Sequence, residues 1–65
     1  MDCLELGRSV AHCLVIKLGP ELSAPINFMA SRPYFRYLKY QCPTESDKRD
    51  FAEGYRSRWT ELCQK

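Results

Sequence analysis

Four cysteines, one histidine and a group of arginines set among tyrosines are the side chains of this 65-residue chain that could do chemistry. A structural zinc site draws about four Cys or His ligands from closely spaced pairs. No CxxC occurs, and His12 adjoins Cys13 rather than standing a ligand's spacing away, so no metal is expected. A catalytic pair would have to join Cys13 or His12 to a partner far along the chain. So short a helical chain also leaves little room for a pocket of about 300 Å³ or more. These residues point away from an enzyme, and no cofactor is expected.

The cysteines could still act as linkers. Cys3 and Cys13 cannot bridge within one helix, because ten residues rise about 15 Å and a disulfide needs Cα atoms within about 7 Å. Bridges between helices, Cys3 to Cys63 or Cys13 to Cys42, stay open. The N-terminus, MDCLELGRSVAHCLVIKLG, places Asp2 and Glu5 where a secretory signal would carry basic residues. Its longest apolar run, Cys13 to Ile16, is far below the ~20 residues of a membrane span. The chain reads as cytoplasmic and complete from Met1, with no membrane partner. In that compartment the four cysteines are expected as thiols, buried as small hydrophobes.

The arginines are unevenly placed. Arg32, Arg36, Lys39, Lys48, Arg49, Arg56 and Arg58 lie in the second half, against Arg8 and Lys17 in the first. Arg49 and Arg56 flank one edge of an aromatic stripe and Arg58 the other. With Tyr55 they form the candidate partner-binding set, since cations beside tyrosines can hold phosphates and stack on bases. The competing reading is that they lie over the core edge and balance Glu45, Asp47, Asp50, Glu53 and Glu61. The net charge of +2 and a pI near 8.4 fall short of the pI above about 9 typical of nucleic-acid binders.

Three segments must position these groups. The first, Asp2 to Gly19, opens with a capping-box spacing at Asp2 and Glu5 and repeats Leu6, Val10, Leu14 and Leu18 every fourth residue. Leu4, Ala11 and Val15 widen its apolar face, and Gly19-Pro20 ends it. A strand over CLVIKL is the alternative. The second, Glu21 to Gln41, has Ser23 before Pro25 as a helix-start signal and a break at Ser31 to Pro33. It reads as two helices, one kinked helix, or partly strand. The third starts after Cys42-Pro43 with a capping spacing at Thr44 and Asp47. Phe51, Tyr55, Trp59 and Leu62 then step by four, four and three, the width of a core-facing stripe. Gly54 stands in mid-helix, where it costs about 1 kcal/mol relative to alanine and allows another backbone to come close. Glu61 and Lys65 can pair at i, i+4.

Two partial likenesses bear on function. Nine residues separate Cys3 from Cys13, a spacing similar to that of helix-hairpin proteins of the mitochondrial intermembrane space. Twenty separate Cys42 from Cys63, which departs from that pattern. Cys42-Pro43 followed by FAEGYRSRW resembles the end of ribosome modulation factor, a small basic bacterial protein that silences ribosomes. Phe51, Gly54, Tyr55 and Arg56 carry the resemblance, over fewer than twenty residues, and this chain opens MDCLELG where that family is strongly basic. The resemblance implies a ribosome-side or RNA-side role.

These readings converge on one all-α domain spanning residues 1–65, of two or three short antiparallel helices in a hairpin or small bundle. The first and third segments are expected to pack on the second. A chain this short buries only about 60% of its unfolded surface, so dimerisation is expected to complete the core. Leu6, Val10, Leu14, Leu18, Phe51, Trp59 and Leu62 are the expected core or dimer residues. The expected function is a small non-enzymatic interaction protein that binds and modulates a larger protein, of the accessory kind that bacteria and their phages encode. The alternative is a nucleic-acid-binding or ribosome-binding module using the second-half arginines.

Overall fold

A computed structural model describes residues 2–64, and the described residues form four helices with no strand. Helix α1 spans Cys3–Leu22, α2 Pro25–Phe28, α3 Arg32–Tyr40 and α4 Glu45–Cys63. Local chemistry sets their ends. The Asp2 side chain accepts from the Glu5 amide at 2.8 Å, and the Thr44 hydroxyl accepts from the Asp47 amide at 3.1 Å. Each satisfies an amide that the first helical turn leaves without a partner. Pro25 and Pro33 stand in the first turns of α2 and α3, where a missing N–H costs nothing. The middle of the chain is therefore two helices. Ser23 follows α1 as its C-cap rather than starting α2. The Glu61–Lys65 pair expected from spacing involves Lys65, outside the described residues.

Gly19 has φ +87°, and Pro20 follows it. Helical geometry breaks there, and Pro20 to Leu22 form one further turn in a new direction. Glycine is the residue that reaches such a φ without a steric penalty.

The middle segment meets α4 through Phe28, Tyr34 and Tyr37. Helices α1 and α4 pack chiefly on each other, which corrects the expectation that both would pack their stripes on that segment. Gly7 and Gly54 are the reason. A Cβ on Gly7 would run into the Phe51 carbonyl oxygen and come within 2.9 Å of the Tyr55 amide nitrogen. A Cβ on Gly54 would run into the Leu4 carbonyl oxygen and come within 3.3 Å of the Arg8 amide nitrogen. Each helix thus presents a glycine to the backbone of the other, three residues beyond the carbonyl it offers in return.

Phe28 of α2 meets Tyr55, and Tyr37 of α3 meets Phe51 one turn nearer the start of α4. Helices α1 and α4 run the same way, with Cys3 beside Cys42 at one end and Trp59 on Pro20 at the other. This direction corrects the cysteine expectation. Cys3 and Cys42, both buried, are joined as a disulfide with Cα atoms 6.2 Å apart. A parallel pair puts the start of α1 beside the residues preceding α4, whereas an antiparallel pair would have put Cys3 near Cys63. Cys13 and Cys63 are unpaired among the described residues.

The buried core is Val10, Ala11, Phe28, Phe51 and Tyr55 with the disulfide. The Phe28 ring stacks on Tyr55 at 4.4 Å, and Tyr37 lies 5.6 Å from Phe51. Such aromatic pairs contribute about 0.5–1.5 kcal/mol beyond their burial. Leu6, Leu14 and Trp59 are half-buried at its margin, and Leu62 is half-buried. Leu18 is 46% exposed: the break at Gly19 turns the chain away before that side chain is covered.

Candidate functional site: an apolar groove beside a pinned corner

Helix α1 ends at Leu22, one turn after Gly19-Pro20, and the carbonyls of that last turn and its cap draw side-chain donors. The Ser23 hydroxyl donates to the Gly19 carbonyl at 2.6 Å, and the Asn27 side-chain amide donates to the Glu21 carbonyl at 2.9 Å. Helix α4 supplies the rest. Trp59 Nε1 donates to the Pro20 carbonyl at 3.1 Å, and the Tyr55 hydroxyl to the Ser23 carbonyl at 2.5 Å. Tyr55 and Trp59 are four residues apart, so both face the corner from one side of α4. Burial pushes the Tyr55 phenol up to about 12, with nearby Cys63 adding to the shift.

The pinned corner holds α2 across the end of α1 and leaves α3 standing off from it. Between them lies a groove of about 220 Å³ lined by Val10, Leu14, Leu18 and Leu22 of α1, by Asn27 and Phe28, and by Ser31, Pro33 and Tyr37. Its floor is core: Val10 and Phe28 are buried. Its mouth is apolar and open, with Leu22 65% exposed and Ile26 of α2 nearby at 81%. Lys17 lies on the same side of α1 as Val10, two turns on, and Arg36 lies one turn beyond Pro33 on α3. Both are exposed.

A second cleft opens on the other side of Leu22, between Pro20, Ala24, Trp59 and Cys63. A third, shallow notch is lined by Glu5, Arg8, Ser9, His12 and Arg58. Here Arg8 holds the Glu61 carboxylate through two hydrogen bonds, at 3.0 and 3.1 Å, and Arg58 adds one at 3.0 Å. The Arg8 hydrogen bonds, then that of Arg58, hold the Glu61 carboxyl below its ordinary value, and Glu61 in turn raises Arg8. Arg58 also reaches His12 Nδ1 at 3.1 Å.

The four residues expected to bind a partner do not form one surface. Tyr55 is fully buried, which corrects its place in that set: its ring belongs to the core and its hydroxyl to the corner. Arg58 is half-buried and engaged with Glu61 and His12. Arg49 and Arg56 are exposed. Of the residues that carry the likeness to ribosome modulation factor, Phe51, Gly54 and Tyr55 are buried and only Arg56 faces solvent. Among the described residues, no three His, Cys, Asp or Glu side chains are grouped for a metal and no helix is long and apolar enough to cross a membrane.

Sequence reasoning did not single out Gly7, or Lys17 and Arg36 as neighbours of one groove. Gly7 carried a usable signal, a second glycine three residues after an apolar one on the same stripe. The two cations lie on different helices, and no spacing along the chain relates them. No protein-family model, curated protein or solved structure matches this chain, so the ribosome-side reading rests on the residues from Cys42 to Trp59 alone.

Proposed function

We propose that this chain is a non-enzymatic interaction module that binds a larger protein through the groove between α1 and α3. The observation that carries the reading is the groove mouth: Leu18 and Leu22 line it and stay 46% and 65% exposed. Apolar surface left in water forgoes about 25 cal/mol per Å², and contiguous exposed patches of this kind mark interaction sites. The nucleic-acid alternative is less well supported, because Tyr55 is buried and Arg58 is already held by Glu61.

Affinity capture from a nuclease-treated lysate tests the reading, with Leu18→Asp as the paired control. The expected result is a partner retained after nuclease and lost with Leu18→Asp. Capture that disappears with nuclease, and that falls steeply with salt as released counterions require, would establish the nucleic-acid alternative instead.

A further inference from the structure

We propose that the occupant of this groove is an acidic amphipathic helix of the partner protein, a statement that rests on the interaction reading above. Charge is the first argument. From Leu6 to Thr44, the stretch that builds the groove, the chain carries Arg8, Lys17, Arg32, Arg36 and Lys39 against Glu21 as its one acid. Glu21 lines the separate cleft beside Trp59. The groove therefore has an apolar lining, and the exposed cations of the two helices that flank it are Lys17 on α1 and Arg32 and Arg36 on α3. Acidic residues flanking an apolar stripe complement that arrangement and speed encounter.

Shape is the second argument. About 220 Å³ is below the size of a small-molecule pocket but suits a few inserted side chains. Both long walls are helices, so no strand edge is on offer among the described residues. An apolar groove flanked by two helices suits a helix laid in it, with anchors at i, i+3 or i+4, and i+7. A lipid surface fits less well, because the floor at Val10 and Phe28 is recessed and buried. A second copy of this chain fits less well too: its amphipathic α3 carries Arg32, Arg36 and Lys39 and no acid, so like charges would meet.

The test is selection of peptides of about 15 residues from an unbiased displayed library on the full chain, followed by affinity measurement. Enriched peptides are expected to be acidic, with apolar residues at helical spacing. Leu18→Glu, at an exposed position, is expected to weaken them at least about tenfold, and Lys17→Glu with Arg36→Glu by about as much. Circular dichroism of each variant must match the parent. Binders that need Leu18 but are neutral or basic, and are indifferent to the charge reversals, would overturn this inference and leave the interaction reading standing. Binders indifferent to Leu18→Glu, or no enrichment at all, would overturn both. Stronger retention on anionic phosphatidylglycerol vesicles, or a dimer in sedimentation that blocks the peptides, would also overturn it.

Discussion

Tyr55 of α4 donates its phenolic hydrogen to the carbonyl of Ser23, 32 residues away and fully buried. The bond closes the corner that aims α2 and shapes the groove. Tyr55→Phe keeps the stack on Phe28 and removes only the donor. The orphaned buried carbonyl is expected to cost about 1–3 kcal/mol, read as a lower denaturation midpoint with unchanged helical content.

The same tyrosine gives the chain an alkaline limit. Its folded value is raised to about 12 from 10.0, so above the unfolded value the folded state binds more protons than the unfolded one. Its contribution, on the order of 2 kcal/mol, is fully present below pH 10 and is lost as pH rises through about 12. Melting temperature against pH should fall in that window for the parent and much less for Tyr55→Phe.

Gly54→Ala reverses a general rule. An alanine in mid-helix normally stabilises by about 1 kcal/mol relative to glycine. Here its methyl group would collide with the Leu4 backbone, and backbone cannot swing aside. We expect a loss of about 1–3 kcal/mol from Gly54→Ala, and a loss of the same sign from Gly7→Ala. Equilibrium unfolding in urea measures both.

The Cys3–Cys42 link joins residues 39 apart. By chain entropy it contributes about 4 kcal/mol, restricting the unfolded state. Alkylation without reductant should label Cys13 and Cys63 only, and after reduction all four cysteines. Reduction should lower the melting temperature of the parent and leave Cys3→Ser with Cys42→Ser unaffected. Labelling of all four without reductant would show that the pair is not formed in solution.

Glu61 sets an acid-side dependence. Its carboxyl is held below the ordinary value of 4.5 by Arg8 and then Arg58. The unfolded state thus binds the proton first, and the contribution is present above 4.5 and lost as pH falls through the lower folded value. Glu61→Gln should remove that slope from the melting profile. High salt should weaken it in the parent, because the pair is exposed.

Much of the fold was legible along the chain. Capping at Asp2 and Thr44, the break at Gly19-Pro20 and the stripe through Phe51, Tyr55 and Trp59 each depend on residues within a few positions of one another. Hydrogen bonding and the helical period act over that range, so the sequence by itself determined an all-α chain and where most of its helices begin and end. It also marked Gly54 as a place for a second backbone.

Which backbone, and in which direction, was a tertiary decision. Gly7 meets Phe51 and Leu4 meets Gly54 where α1 and α4 cross, and the shared direction of the two helices pairs Cys3 with Cys42 and sets Trp59 on Pro20. It also divides side chains that spacing had grouped together. Tyr55 turned into the core while Arg56, its neighbour, stayed in water, because one residue of helix rotates the side chain by about 100°. The groove is a product of the fold in the same sense. Leu18, Lys17 and Arg36 lie on two helices whose separation is set by the corner that Tyr55 and Trp59 hold, and no local signal encodes a distance between helices.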